Sequence, residues 1–215
     1  MVRTSPWMPL SRLCFGLDEI PIAMPDESEA SFAGVEESNH GRVPEIYVAV
    51  YSDRVEDVTP RYGYSLSKRK IIGRLKKNNG EFRISKGHGV NFRYLIATQE
   101  NKDFLARKGL KPDRWIRIAA LSAFAKALHR QDLFLADGVL DRDDIDKIRL
   151  LVPPHLFPKR IGAMPNADMI YPLVNTAHHV AYALHNYYSG PITQSTEYIF
   201  PESRVGLCLE ELLRV

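Results

Sequence analysis

The sequence has few cysteines and no long apolar run. Cys14 and Cys208 are the two cysteines among 215 residues, and their wide separation matches neither a disulfide framework nor a zinc site. A run of about 20 apolar residues, which a membrane-spanning helix requires, is also missing. With 45% hydrophobic and 26% charged residues, the composition predicts a soluble cytoplasmic protein with no membrane partner.

Several well-known local motifs are absent too. The sequence contains no P-loop, no glycine fingerprint for dinucleotides, no G-x-S-x-G elbow and no H-E-x-x-H zinc motif. Prolines interrupt the apolar stretches of residues 1–17, which is not typical of a secretory signal. Any chemistry must therefore come from residues that are scattered along the chain.

The length fits one domain with a short extension. Residues 1–30 contain prolines and an acidic cluster but little periodicity, so they are predicted to be an N-terminal extension that is at most partly ordered. The domain is predicted to cover residues 31–215. Its oligomeric state does not follow from the sequence.

The hydrophobic pattern alternates between strand and helix. Strands are predicted at 31–37, 45–52, 92–98, 132–137 and 160–167. Helices are predicted at 65–77, 112–129, 172–188 and 202–213, with a helix or turn at 141–151. Strands followed by alternating helices and strands predict an α/β fold with a mixed β-sheet flanked by helices.

Four acidic residues follow predicted strands or precede a predicted helix. Glu36 and Glu37 end the first strand, Asp137 ends a central apolar run, and Asp168 precedes the helix at 172–188. Mg²⁺ prefers carboxylate oxygens, and two divalent ions about 3.5–4 Å apart can promote phosphodiester hydrolysis. Each acid alone also has an ordinary explanation, for example a helix N-terminal charge for Asp168 and a turn at Asp137.

A basic segment runs from Arg61 to Arg93, where ten basic residues stand against one acid, Glu81. Basic residues interleaved with aromatic ones are typical of contacts to a nucleic-acid backbone. The alternative is a solvated helix face, which is the more common explanation of a charge run.

Three segments together resemble type 2 ribonuclease H. They are Gly34-Val-Glu-Glu-Ser38, Leu135-Ala-Asp-Gly138 and Asn166-Ala-Asp-Met-Ile-Tyr-Pro-Leu-Val174, in the family's order. The segment Ser65-Leu-Ser-Lys-Arg-Lys70 is similar to the family's D-S-K-K-L. The resemblance spans about residues 31–188.

This resemblance implies a ribonuclease H-like fold and a metal-dependent endonuclease that cleaves the RNA of RNA:DNA hybrids or a related nucleic acid with Mg²⁺ or Mn²⁺. The implied metal-binding and catalytic residues are Glu36, Glu37, Asp137 and Asp168. The implied nucleic-acid contacts are His40, Arg42, Lys68, Arg69 and Lys70.

The chain also departs from the family pattern. Glu36 stands where the family has aspartate, and residues 39–42 replace a G-R-G segment. These changes favour an alternative, in which a catalytically degenerate protein of the same fold acts as a nucleic-acid-binding or assembly module. His178 and His179 fall on the last long helix, where a hydrogen-bonded structural role is favoured over a role in proton transfer.

Overall fold

A computed structural model describes residues 31–38, 43–61, 83–84, 88–89, 91–129, 131–188 and 204–214. The strands are β1 (Phe32–Ser38), β2 (Glu45–Ser52), β3 (Arg83–Ile84), β4 (His88–Gly89), β5 (Asn91–Ala97), β6 (Leu133–Asp137) and β7 (Ile161–Met164). The helices are α1 (Gln99–Arg107), α2 (Pro112–Ala127), α3 (Arg142–Leu151) and α4 (Pro172–Tyr188). None of the helices in these ranges has the length and hydropathy of a membrane span.

Five of the strands form one mixed sheet in the order β5-β2-β1-β6-β7, while β3 and β4 form a separate pair. The strand β2 is antiparallel to both of its neighbours, β1 and β5. By contrast, β1, β6 and β7 run parallel to one another. The carboxyl ends of these three parallel strands therefore meet at one edge of the sheet, which is where open α/β sheets bind ligands.

Both faces of the sheet are covered. α4 packs on one face against Phe32, Val48 and Leu135, whereas α1, α2 and α3 cover the other face, which carries Val35 and Phe134. Alternate residues of each strand pack into the hydrophobic cores on the two faces, because successive side chains of a strand point to opposite faces. The predicted α/β class, with a mixed sheet flanked by helices, is confirmed.

α4 lies very close to β1 at Gly34. A β-carbon on Gly34 would lie 2.8 Å from the Leu173 carbonyl carbon and 2.8 Å from the Val174 nitrogen. Ala177, one turn further along α4, is fully buried in the same core. The absence of a side chain at Gly34 thus lets the first turns of α4 rest on the strand that carries Glu36.

Most predicted elements are confirmed. The predicted strands correspond to β1, β2, β5, β6 and a shorter β7, and the helices at 112–129, 141–151 and 172–188 correspond to α2, α3 and α4. The basic helix predicted at 65–77 and the extension at 1–30 lie outside the described residues. The domain boundary near residue 31 therefore stays a prediction.

Two elements differ from the expectations. The first is α1, where the sequence pattern predicts no helix. Its start nevertheless has a capping box, in which Thr98 and Asn101 each accept a hydrogen bond from the other's backbone N–H. The helix predicted at 202–213 is present only at its end, where a 3₁₀ helix covers Glu210–Arg214, whereas residues 205–209 form no regular element and the Val205 N–H donates to the Tyr94 carbonyl of β5 at 2.7 Å. The free edge of β5 supplies backbone partners that the local helical pattern does not reveal.

Candidate metal centre

Three acidic side chains from separate parts of the chain lie at the carboxyl edge of the parallel strands. Glu36 is near the end of β1, Asp137 is the last residue of β6, and Asp168 lies in a 3₁₀ turn, Ala167–Met169, between β7 and α4. The parallel pairing of β1 with β6 runs up to Val35 and Ala136, so Glu36 and Asp137 are the next residues of adjacent strands. All three carboxylates are on the side of the sheet that α4 covers.

Glu36 is buried, and neighbouring groups offset its negative charge only in part. Its exposure is 4%, and its Oε2 atom has no hydrogen-bond partner among the described residues. Burial raises the pKa of Glu36, the nearby His178 imidazole opposes this rise, and the charges of Asp137 and Asp168 add to it. A buried carboxylate oxygen without a donor is destabilising, so this part of the fold carries negative charge in excess.

Asp137 is held in place from two sides. Its Oδ1 atom accepts a hydrogen bond of 2.6 Å from the Ala167 N–H, which ties the end of β6 to the turn that carries Asp168. The Arg117 guanidinium donates to the Asp137 carbonyl oxygen, and a β-carbon on Gly138 would lie 2.7 Å from that guanidinium. Burial raises the pKa of Asp137, the Ala167 N–H lowers it, and the charge of Asp168 raises it again.

His178 of α4 stands between two of these acids. Its Nδ1 atom is 4.0 Å from Glu36 Oε1 and 3.9 Å from Asp168 Oδ2. The neighbouring His179 is buried, and its ring meets the His178 ring edge-on at 5.4 Å between centroids. His178 is four residues after the sheet-facing Val174 and so lies on the same side of the helix; its predicted structural role stays a prediction.

Glu37 points to the opposite face of the sheet. It is the cross-strand partner of Tyr47, whose pKa is raised well above its ordinary value by burial and then by the charges of Glu37 and Glu45. It lines an open cleft of about 420 Å³ together with Asp113 and Arg117. Of the four acids predicted for the site, the structure therefore brings three together and places Glu37 on the other side of β1.

The three acids offer oxygen ligands for divalent cations. Carboxylates that lie near one another are stabilised when hard cations share their oxygens, and the unpartnered Oε2 atom of Glu36 is a free ligand position, although the ligand atoms of the three acids do not all lie within 4.8 Å of one another. Burial raises the pKa of Glu36 and of Asp137, and the charge of Asp168 adds to both rises, so a bound cation would relieve part of this unfavourable charge. Glu36, Asp137 and Asp168 would hold the ion or ions, and Glu37 adjoins them in sequence.

A tighter acidic group, formed by Asp141, Asp143 and Asp144, lies at the start of α3. It is the one group of three or more acidic, histidine or cysteine ligands in the described ranges whose atoms all lie within 4.8 Å of one another. Arg114 donates to all three carboxylates, at 2.6 Å to Asp144 and 2.7 Å to Asp143. Asp141 also caps α3 by accepting from the Asp144 N–H at 2.8 Å. Arg114, with Lys147 at Asp143, thus offsets much of the charge of this group and ties α2 to α3.

The predicted nucleic-acid contacts lie outside the described residues. They are His40, Arg42, Lys68, Arg69 and Lys70, and they stay predictions. The described start of the basic segment is nevertheless informative. The Arg61 N–H donates to the Ile170 carbonyl at 2.7 Å. Ile170 is two residues after Asp168, so the basic segment starts beside the 3₁₀ turn that carries this acid.

No family model and no curated protein matches the chain. Among solved structures, it is similar to a chain of the PCNA:RNase HII complex from Archaeoglobus fulgidus, with 17% identity and a TM-score of 0.43 over 71% of this chain and 70% of that one. It is also similar to ribonuclease H2 from Pyrococcus horikoshii OT3, with 17% identity and a TM-score of 0.45 over 71% of each chain. Both similarities are distant, and the grouping of the three acids follows from this chain's own geometry.

Proposed function

We propose that the chain is a divalent-metal-dependent endonuclease that hydrolyses phosphodiester bonds in the RNA of an RNA:DNA hybrid or in a related nucleic acid. The observation that carries the proposal is the convergence of Glu36, Asp137 and Asp168 at the carboxyl edge of three parallel strands. The sequence resemblance to type 2 ribonuclease H, whose three segments contain these acids, gives the proposal its substrate class.

In this proposal each acid has its own task. Glu36 is packed between β1 and α4 and holds its carboxylate rigidly, while Asp137 is oriented by the Ala167 N–H. Asp168 has a more accessible side chain, at 21% exposure, and faces the approaching substrate. Divalent cations, when bound by such a set, activate the attacking water and stabilise the leaving oxygen. Glu37, on the other face of β1, would join these ligands only if the end of the strand rearranged.

The basic segment supplies the electrostatic attraction for the nucleic acid. Its ten basic residues begin at Arg61, which is tied to the turn next to Asp168. Lysine and arginine side chains that replace condensed counterions favour backbone binding without sequence preference. We therefore propose that the substrate backbone passes from this segment to the three acids, with His40, Arg42, Lys68, Arg69 and Lys70 among its contacts.

The variant Asp137→Asn tests the proposal. Cleavage of a labelled RNA:DNA hybrid in Mg²⁺ or Mn²⁺ is expected to fall by at least about a hundredfold, while affinity for the same hybrid stays equal or rises because one negative charge is lost. Asp146→Asn, which changes an exposed aspartate paired with Arg149 on α3, is the matched control and keeps activity. Unchanged cleavage by the Asp137 variant would remove the site assignment.

The second candidate function is a non-catalytic nucleic-acid-binding or assembly module with the same fold. The position of Glu37 favours it, because only three of the four acids share a face. Thermal denaturation with added Mn²⁺ separates the two candidates, since an ion that binds the folded state raises the melting temperature. A module without a metal site would bind the hybrid but show no stabilisation by Mn²⁺.

A further inference from the structure

We propose that Arg117 is a positioning residue of the acid site, which fixes the Asp137 carboxylate by holding the Asp137 main chain from the opposite face of the sheet. This role rests on the proposed function for the task of Asp137, but it belongs to a residue outside the acid set. Three observations support it: the hydrogen bond of Arg117, the end of the strand ladder at Asp137, and the fit of the guanidinium against Gly138.

The first observation is the hydrogen bond itself. Arg117 lies on α2 between Ile116 and Ile118, which pack into the core on the face away from α4. Its guanidinium donates to the main-chain carbonyl of Asp137. On the α4 face, Asp137 Oδ1 accepts a hydrogen bond of 2.6 Å from the Ala167 N–H. Asp137 is therefore anchored by its main chain on one face and by its carboxylate on the other.

The second observation is the place where the strand ladder ends. β6 pairs with β1 as far as Ala136, which is opposite Val35, so this ladder stops one residue before Asp137. On its other side, Asp137 is the last residue of β6 to pair with β7, opposite Met164. Backbone hydrogen bonds at the end of a ladder open more readily than those inside it. The Arg117 donor thus supports Asp137 where the pairing with β1 has ended.

The third observation is the lack of a side chain at Gly138. A β-carbon there would lie 2.7 Å from Arg117 Nη1 and 2.9 Å from Nη2, so the guanidinium rests directly on this glycine. Gly138 also has a φ of +86°, which residues with a side chain rarely adopt. The turn after β6 therefore presents bare main chain to Arg117, whose planar guanidinium carries its donors in a fixed geometry.

The effect of Arg117 on Asp137 is mainly positional. Burial is the largest influence on the pKa of Asp137 and raises it, whereas the Arg117 charge lowers it by less than the Ala167 and Gly138 N–H groups do. The charge of Arg117 therefore contributes little to the ionisation of Asp137. A carboxylate in a catalytic site must be held within about 0.5 Å of its working position, which requires support of its main chain.

Amide hydrogen exchange in the metal-free protein tests the positioning directly. In Arg117→Met, exchange of the Ala167 N–H is expected to be at least about tenfold faster than in the wild type, because its acceptor is the Asp137 carboxylate. The control is Arg149→Met, which removes an exposed arginine paired with Asp146 on α3. Equal protection of the Ala167 N–H in the two variants would overturn the proposal.

A second amide separates this local effect from a general loss of stability. The Phe134 N–H donates to the Arg160 carbonyl at 2.9 Å near the other end of β6. Its exchange in Arg117→Met is expected to change by less than about threefold. An acceleration at Phe134 as large as that at Ala167 would make Arg117 a residue of general stability and would overturn the proposal.

Single-turnover cleavage of a labelled RNA:DNA hybrid in saturating Mg²⁺ gives the kinetic readout. Arg117→Met is expected to lower the maximal rate by about 10–100-fold and to change the half-saturating hybrid concentration by less than about threefold, because Arg117 orients Asp137 rather than the hybrid. An unchanged maximal rate, or a loss confined to the half-saturating concentration, would overturn the proposal.

The conservative variant Arg117→Lys distinguishes position from charge. Lysine keeps the charge and can donate one hydrogen bond to the Asp137 carbonyl, but it lacks the planar guanidinium. It should therefore recover part of the rate that Arg117→Met loses. Complete recovery would show that charge alone is required and would contradict the positional role.

These readouts keep the positioning residue and the proposed function apart. A protein that does not cleave a hybrid or RNA, but whose Ala167 N–H loses protection in Arg117→Met, would contradict the nuclease and retain the positioning of Asp137. A protein that cleaves at the same maximal rate with and without Arg117 would retain the nuclease and contradict the positioning.

Discussion

Two buried glutamates on neighbouring strands lie on opposite faces of the sheet. Glu45 of β2 is 2% exposed, and its carboxylate accepts hydrogen bonds from Lys102 Nζ at 2.7 Å and from the Tyr47 hydroxyl at 3.3 Å. Glu36 of β1 is 4% exposed, yet it faces the carboxylates of Asp137 and Asp168, and its Oε2 atom has no partner among the described residues.

The difference separates a structural carboxylate from a functional one. Burial opposes the charge on Lys102, but its hydrogen bonds to Glu45 and Asp113 raise its pKa overall, so Lys102 remains charged. The charge of Glu45 is thus balanced inside the protein. The charge of Glu36 is balanced only in part, by His178, and ionisable groups whose pKa is shifted by burial and by neighbouring charges are typical of functional sites. The predictions below test this contrast.

The largest expected effect is on stability, at the face of the sheet where Lys102 balances the charge of Glu45. Lys102→Met leaves the buried Glu45 carboxylate without its cation, and we expect the free energy of unfolding to fall by about 3 kcal/mol. Urea denaturation measures it. A second change, Glu45→Gln, should recover much of the loss in the double variant, because the unpaired charge is then removed. A single variant as stable as the wild type would show that Glu45 is not held by this pair.

At the face of the sheet that carries Glu36, the expected effect is on activity. Glu36→Gln should lower cleavage of an RNA:DNA hybrid by at least about a hundredfold, whereas Glu37→Gln should lower it by about tenfold, because Glu37 starts from the other face. Single-turnover assays with saturating metal measure both. Equal losses would indicate that Glu37 joins the other acids when the ion binds, and no loss in Glu37→Gln would exclude it from the centre.

A smaller effect concerns the contact that positions α4. Gly34→Ala places a β-carbon 2.8 Å from the backbone of Leu173 and Val174, so we expect a loss of about 1–3 kcal/mol in stability, with a weaker affinity for Mn²⁺. Gly206→Ala is the matched control, since a β-carbon there meets nothing within 4 Å. Similar denaturation midpoints for the two variants would contradict the close packing of α4.

The smallest effect is on the pH dependence of stability. The raised pKa of Glu36 means that the folded protein favours its protonated form. The stability from this group is fully present below the unfolded pKa, about 4, and is lost as the pH rises through the folded value. In chelator-treated protein, Glu36→Gln should therefore become more stable than the wild type as the pH rises from about 4 to 7. A constant difference across this range would contradict the burial of an ionisable Glu36.

Local signals were sufficient for much of the fold. The apolar periodicity of 112–129 and 172–188 and the run at 132–137 each predict an element that the structure contains. The failures have a common cause. The Val205 N–H bonds to Tyr94 at the edge of β5, a partner more than 100 positions away in the sequence, and α1 begins at a capping box on polar residues rather than at an apolar stripe.

The candidate site shows the same division. Alternation along a strand already separates Glu36 from Glu37, because adjacent residues point to opposite faces, but the motif resemblance groups them as one pair. The position of His178 depends on how closely α4 approaches β1 at Gly34. That approach is a property of packing, and no local pattern measures it.

The sequence by itself determined the residue types and their order: acids at the ends of two strands and before a helix, a basic segment, and the alternation of apolar residues that specifies a mixed sheet. Tertiary structure alone decided which of these acids meet. The parallel alignment of β1, β6 and β7 brings Glu36, Asp137 and Asp168 to one edge, whereas the pleat turns Glu37 away toward Tyr47. Charges that are separate in the sequence interact only when the sheet brings them within a few ångströms, because water and salt screen them at longer range.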